Sequence, residues 1–196
     1  SVASRGLGDV YKRQVRTGLD VLIEDHPNYL QGRSIGLVTN HTGITKNNEK
    51  NYELFQTNSV ISLKRIFAPE HGFFGEASAG AKVDYDGKST SGPEIISLYG
   101  KTRKPTKEML DGIDLIIYDI QDVGARFYTY ISTLGLVMEA AGEYGIDVMV
   151  LDRPNPIGGE IVEGAILDTA FKSFVGYYPI PIRYALTVGE LSQMAV

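Results

Sequence analysis

The sequence predicts an α/β fold in three layers, built around a mainly parallel sheet. Two observations carry this prediction: short apolar runs end at polar turn residues, and helical patterns separate one run from the next. Parallel strands need crossover helices, and these cover both faces of the sheet. The chain has 196 residues, 43% of them hydrophobic, which is enough for one sizeable core.

The first half of the sheet is predicted from three segments. Residues 18–25 have a helical pattern, and a buried strand follows over residues 34–40. A helix capped by Thr42 or Thr45 then leads to a second strand over residues 63–68, which stops at a proline and a glycine. The order is therefore helix, strand, helix, strand.

A long loop and a second set of elements come next. Residues 72–92 are rich in Gly, Ser, Asp and Lys and show neither period, which is typical of a functional loop. The pattern then predicts a short strand over residues 94–100, a short helix opened by Pro105 or Thr106, and a buried strand over residues 115–120. Strand and helix thus alternate again.

The last third of the chain is predicted to hold a long helix that ends near Gly145. One stripe of it is apolar, formed by Phe127, Ile131, Leu134, Met138 and Ala141. A buried strand over residues 147–152 follows, then turn-rich sequence and an amphipathic helix in LTVGELSQMAV. We expect both ends to be cut, with residues 1–14 a non-native, adaptor-like leader and residues 15–196 one C-terminally truncated subdomain.

Composition excludes several classes of function. The formal net charge is -5 and Lys and Arg are scattered, so neither nucleic acid nor an anionic membrane surface is an expected partner. The chain has no cysteine, hence no disulfide or thiolate metal site, and no apolar run long enough for a membrane span. No glycine-rich phosphate motif follows a strand, and the three histidines lack zinc-ligand spacing, so we expect no cofactor and no metal.

Polar residues concentrate where the predicted strands end. Ligands of such sheets bind beyond the carboxyl ends of the strands, although any one of these residues could instead be a turn former or a helix cap. The candidates for substrate binding or catalysis are Asn40, Glu70, His71, Asp119, Gln121, Asp122, Arg126, Tyr128, Asp152, Arg153 and Asn155.

Glu70 and His71 are the most specific pair. Pro69 fixes the backbone at the strand exit and Gly72 frees it just afterwards, so both side chains can be aimed into a cleft. Neighbouring phenylalanines would raise the pKa of the Glu70 carboxyl by desolvation, which suits a general acid that protonates a glycosidic oxygen. The alternative is that Glu70 only pairs with a nearby arginine.

An anion site is predicted near Arg126. We expect Asp119, Asp122 and Arg126 around a helix N-terminus, whose free N–H groups favour an anionic sugar substituent. Arg126 could hold a carboxylate bidentately, or it could pair with Asp122 four residues earlier on the helix. Asp152, Arg153 and Asn155, after the fifth strand, could likewise either bind the substrate or pair within the protein. Tyr128 could stack on a sugar ring or pack against the protein.

The motifs occur in a specific order: GLVTN with a following TG, PEHGF, SLYG, DIQDVGARFYTY, LDRPNP with GG, FVG, PIP and LTVGEL. In this order they resemble the bacterial exo-β-N-acetylmuramidases of the NamZ type, glycoside hydrolase family 171, over residues 15–196. The resemblance implies an enzyme that releases N-acetylmuramic acid from the non-reducing end of peptidoglycan fragments. It also implies a Rossmann-like subdomain, a smaller second one that is absent here, and a periplasmic or secreted address.

The resemblance places the catalytic glutamate of PEHG at Glu70. With His71, the implied cleft residues are Asn40, Gln121, Asp122, Arg126 and Arg153. His41 stands where the family commonly has proline and is left out of the predicted site. The expected partner is a peptidoglycan-derived saccharide or muropeptide, and we expect this chain alone to be inactive. Two other interpretations stay open, a non-catalytic muropeptide-binding module and a nucleotide-using enzyme of the same fold class.

Overall fold

The computed structural model describes residues 15–75 and 92–195. Its strands are β1 (Ser34–Thr39), β2 (Ser62–Ala68), β3 (Glu94–Ser97), β4 (Leu115–Asp119) and β5 (Asp147–Val150). They form one sheet in the order β3-β2-β1-β4-β5, and every neighbouring pair is parallel. The predicted parallel, Rossmann-like α/β sheet is confirmed. The order reverses direction between β1 and β4, which is where open α/β sheets bind ligands.

The described α-helices are α1 (Gly18–Asp25), α2 (Asn51–Thr57), α3 (Tyr130–Tyr144) and α4 (Val188–Met194). Capping boxes begin two of them, with Thr17 in α1 and Thr187 in α4. Gly145 ends α3 with a left-handed φ of 68°, as the sequence predicts. None of the helices in the described ranges has the length and apolar character needed to cross a membrane.

Apolar clusters cover both faces of the sheet, which gives the three predicted layers. Successive residues of β4 point to opposite faces, so Ile116 and Tyr118 pack with the cluster that includes α3. Leu115 and Ile117 pack on the other side with residues of α1 and α2. Each large apolar side chain that is fully buried in this way stabilises the fold by about 1.5–3 kcal/mol.

The predicted cap of α2 is wrong. Lys50 occupies the N-cap position of this helix, and both Thr42 and Thr45 lie in the connection before it. The Thr45 hydroxyl instead accepts the N–H groups of Asn47 and Glu49, at 3.2 Å each. Such local side-chain bonds compete with a helix start, so the helix begins later than the pattern predicts.

The start of α3 also differs from the prediction. The helix begins at Tyr130, and Phe127 lies before it with its side chain 56% exposed, so it does not belong to the buried stripe. The short helix expected from Pro105 or Thr106 is a single 3-10 turn at Glu108–Leu110. The predicted leader and residues 76–91 of the predicted long loop lie outside the described residues.

Candidate active site

The Glu70 carboxylate lies half-buried at the carboxyl edge of the sheet, just after β2. The Thr129 hydroxyl donates a short hydrogen bond of 2.5 Å to it. Thr129 is the N-cap residue of α3, and its hydroxyl bonds to Glu70 rather than to the helix backbone. Glu70 is therefore tied to the segment that follows the DIQD motif.

Two tyrosine hydroxyls complete the surroundings of Glu70. Burial, a hydrogen bond to Glu70 and the negative charge of Glu70 raise the pKa of the Tyr99 hydroxyl. Burial and the same charge raise the pKa of Tyr130, which the Asn40 amide acts to lower. Three hydroxyl groups, two from the start of α3 and one from the segment after β3, thus lie around one carboxylate.

The backbone after Glu70 turns sharply. His71 and Gly72 have φ values of 68° and 74°, and the left-handed region is uncommon for a residue other than glycine. Gly75 has a φ of 73°, and a Cβ there would lie 2.1 Å from Nδ1 of His41. The His41 ring therefore packs against this loop, although the sequence comparison left His41 out of the site.

Asn40 presents an unused donor beside this carboxylate. Its side chain is 3% exposed, and Oδ1 accepts both the N–H and the hydroxyl of Thr42, which fixes the orientation of the amide. Nδ2 is buried and makes no well-formed hydrogen bond to any described residue, although it lies close enough to Tyr130 to lower the pKa of that hydroxyl. Buried donors are normally satisfied, so a ligand acceptor would complete this group.

Asp119 and Arg153 form a buried ion pair in the middle of the same edge. Arg153 Nε lies 2.7 Å from Asp119 Oδ1, and the side chains are 6% and 0% exposed. Asn51 donates to the other carboxylate oxygen at 2.7 Å, and Arg153 also donates to the carbonyl of Ile44. Burial raises the pKa of Asp119, against the effect of Arg153. These contacts join the end of β4 to the start of α2 and to the segments of Ile44 and Arg153, and substrate binding by Asp119 or Arg153 stays a prediction.

Asp122 is held by a tyrosine. Its Oδ2 accepts the Gly124 N–H at 2.7 Å and the Tyr184 hydroxyl. Burial raises the pKa of the Asp122 carboxyl, and burial together with the charge of Asp122 raises the pKa of Tyr184. Oδ1 is buried and has no partner among the described residues.

One of the two interpretations left open for Arg126, a pairing with Asp122, is not observed. Residues 122–126 precede α3 instead of lying on a helix, because Gly124 turns the chain with a φ of 84°. Arg126 Nη1 donates to the carbonyls of Ala165, at 2.8 Å, and Ile180. Arg126 thus fastens a distant loop, and the prediction that it binds an anion stays untested.

The other predicted residues join loops. Asp152 accepts the Gly189 N–H and the Thr187 hydroxyl, and so holds the start of α4. Asn155 donates to Leu186 O and accepts from Ile157 N, and Gln121 donates to Asp122 O and Pro154 O. For Asp152 and Asn155 the structure thus places a cap and a turn where the sequence left both interpretations open.

An exposed aromatic pair lies next to Thr129. Tyr128 and Phe127 are 45% and 56% exposed, and their ring centres are 5.3 Å apart. The sequence predicted Tyr128 as a sugar contact but missed Phe127, Thr129 and Tyr99. The SLYG and RFYTY motifs contain all three, but no local pattern marks a contact across 59 positions such as Thr129 with Glu70.

The arrangement suits acid–base chemistry on a polar substrate such as a sugar. A half-buried carboxylate among hydroxyls can exchange a proton, and exposed aromatic faces can stack on a sugar. Within residues 15–75 and 92–195, no three histidine, aspartate or glutamate side chains gather in a way that could hold a metal ion.

A family model and a known relative both match this chain to the same protein family. A family model described as the N-terminal part of the exo-β-N-acetylmuramidase NamZ matches residues 35–196. The peptidoglycan β-N-acetylmuramidase NamZ of Bacillus subtilis strain 168 is 48% identical over 183 residues, which are 93% of this chain and 44% of that protein. This chain therefore spans less than half the length of that relative.

Two crystal structures of DUF1343 family proteins from Bacteroides fragilis share the fold. One superposes on this chain with a TM-score of 0.83 at 44% sequence identity. The match covers 91% of this chain and 45% of that protein's chain. The other has a TM-score of 0.76 at 38% identity and covers 92% and 46%. The matched part is again less than half of each relative.

Proposed function

This chain belongs to the family of NamZ exo-β-N-acetylmuramidases, and we propose on that basis that it carries the acid group of a glycosidase. The proposed reaction releases N-acetylmuramic acid from the non-reducing end of peptidoglycan fragments. The observation that supports it most is the Glu70 carboxylate, half-buried at the sheet edge, which accepts the Thr129 hydroxyl and lies near the Tyr99 hydroxyl. Glycoside hydrolysis needs such a carboxyl to protonate the leaving oxygen.

In the proposed mechanism Glu70 donates its proton to the glycosidic oxygen as the bond to the anomeric carbon breaks, and a water molecule supplies the hydroxyl that this carbon carries in the released sugar. Hydroxyl groups both donate and accept hydrogen bonds, so Thr129 and Tyr99 can hold Glu70 before and after the proton leaves. The free Nδ2 of Asn40 faces an acceptor of the substrate, for which the acetamido carbonyl is the natural partner. The exposed rings of Phe127 and Tyr128 provide the stacking surface.

Glu70→Gln tests the proposal on a protein with the full length of its relatives. We expect the rate on an aryl β-N-acetylmuramide to fall by about 100- to 10,000-fold, since the amide cannot supply the proton. Binding of N-acetylmuramic acid should persist. Glu160→Gln is the matched control, because Glu160 is exposed and lies outside the site.

Two results would speak against this mechanism. An unchanged rate in Glu70→Gln would remove Glu70 as the acid. A wild-type protein that binds the sugar tightly and hydrolyses no muramide would instead be a muropeptide-binding module.

We also propose that the protein meets its substrate in the periplasm or outside the cell, because peptidoglycan lies there. Cell fractionation of the native host, followed by detection of the protein with an antibody, tests this address. Recovery in the cytoplasmic fraction alone would contradict it.

A further inference from the structure

Arg103 differs from every other arginine in the described part of the chain. Six of the seven described arginines donate to a carboxylate or to a backbone carbonyl of the protein. They are Arg16, Arg33, Arg65, Arg126, Arg153 and Arg183. Arg103 is exposed and makes no hydrogen bond or ion pair to a described residue. Its N–H donors are therefore available to a ligand.

Two aromatic rings hold the Arg103 guanidinium in place. Its central carbon lies 4.3 Å from the centre of the Phe174 ring and 5.9 Å from that of Tyr99. The two rings are themselves 5.9 Å apart. Stacking on aromatic faces orients a guanidinium while leaving the N–H groups along its edge free for a bidentate contact. This is the geometry of a prepared carboxylate site rather than of a solvated surface charge.

Tyr99 connects this cation to the candidate acid. Its ring contacts Arg103, and its hydroxyl lies close enough to Glu70 for that carboxylate to raise the pKa of the hydroxyl. One tyrosine side chain therefore separates the guanidinium from the carboxyl that would protonate the glycosidic oxygen. Arg103 and Glu70 therefore share Tyr99 as a neighbour, which puts a cation with free donors beside the proposed acid.

We propose that Arg103 binds the lactyl carboxylate of the substrate and so selects muramic acid over glucosamine. The inference rests on the proposed function, since only a muramyl sugar carries this carboxylate on its ring. It moves the anion site from Arg126, whose Nη1 donates to two carbonyls, to an arginine with free donors. It also explains how a chain with net charge -5 would hold an anion, because the cation acts locally.

The test compares two substrates on a protein with the full length of its relatives. Arg103→Ala should lower kcat/KM for an aryl β-N-acetylmuramide by roughly 10- to 100-fold, mainly through KM, because a charged hydrogen-bonding pair is lost. The corresponding β-N-acetylglucosaminide lacks the lactyl group, and its kcat/KM should stay within about twofold. Arg103→Lys keeps the charge without the planar fork and should fall between the two.

Lys101→Ala is the matched control, because it removes the same charge from the same exposed loop and should leave both substrates unchanged. Equal losses on both substrates, or no loss on either, would overturn the role of Arg103 while the muramidase activity of the wild type stands. A wild type without activity on the muramide would instead remove the proposed function, and this inference with it. The thermal unfolding temperature of Arg103→Ala should match that of the wild type and shows that the variant folds.

Discussion

Two regions of the same sheet edge use polar residues in opposite ways. In the central region, which consists of Asp119, Arg153 and Asn51, both carboxylate oxygens accept strong hydrogen bonds and the ion pair is almost fully buried. In the flanking region, which consists of Glu70, Tyr99 and Arg103, the groups are half-buried or exposed, and Arg103 has no polar partner among the described residues. A polar residue at a strand end thus indicates a functional site only when some of its hydrogen-bonding groups are not already used by the protein.

The largest effect is expected from Arg153→Ala, which tests whether the central region stabilises the fold. It would leave the Asp119 carboxylate buried and uncompensated, so we expect a loss of about 3–5 kcal/mol in the free energy of unfolding, measured with urea. Arg33→Ala removes a surface ion pair that solvent screens, and it should change the free energy of unfolding very little. Removing both partners, in Asp119→Ala with Arg153→Ala, should recover part of the loss. A cost for Arg153→Ala no larger than for Arg33→Ala would mean that the central region is not structural.

A smaller loss is expected from Tyr184→Phe, which tests the buried contact behind the central region. The change deletes the hydroxyl that donates to Asp122 and leaves this carboxylate with fewer partners. We expect a loss of about 1–3 kcal/mol in the free energy of unfolding. Tyr144→Phe is the control, because Tyr144 is 41% exposed and should cost almost nothing. Equal stabilities of the two variants would show that the buried bond carries no net energy.

A still smaller change in the free energy of unfolding is expected from the titration of Asp122. Burial raises the pKa of Asp122 in the folded protein, so the folded state holds this proton more tightly than the unfolded chain does. The resulting stabilisation is present below the unfolded pKa of about 3.9 and is lost as the pH rises through the folded value. Asp122→Asn cannot titrate. The stability of the wild type relative to this variant should therefore fall with rising pH, by about 1.4 kcal/mol per unit of pKa difference.

Asp111→Asn is the control for this titration. Asp111 is exposed, so the difference between wild type and variant should stay flat over the same pH range. A difference that grows in favour of the wild type as the pH rises would reverse the sign of the Asp122 effect and contradict the burial argument.

The sequence located the sheet edge and placed Glu70 on it, but it could not separate the two regions. Pro69 and Gly72 mark the strand exit locally, which is why Glu70 was found. The partners of Asp119 lie 34 and 68 positions away along the chain, at Arg153 and Asn51. Which polar groups satisfy each other is decided by the order of strands in the sheet, and no local period carries that information.

The same limit explains why the sequence could not decide between the two interpretations of Arg126. Its four-residue spacing from Asp122 suggests a helical pair only if a helix is present, and the turn at Gly124 removes that condition. The availability of Arg103 is likewise invisible in KTRK. It emerges only when Phe174, from a loop 71 positions later, lies against the guanidinium.

The smallest stability effect, and the sharpest contrast with the central region, is expected from Tyr99→Phe. The ring remains against Arg103 and only the hydroxyl is lost, so the free energy of unfolding should change by no more than about 0.5 kcal/mol. Catalysis should respond in a different way. The Tyr99 hydroxyl and the Glu70 carboxylate interact electrostatically, and a hydroxyl dipole beside a carboxylate favours its ionised form, so we expect the loss of the hydroxyl to keep the proposed acid protonated to higher pH. The high-pH limb of kcat/KM should therefore move upward in a full-length protein, while Tyr144→Phe leaves it in place. A large loss of stability with an unmoved pH profile would make Tyr99 a packing residue, and the flanking region would then resemble the central one.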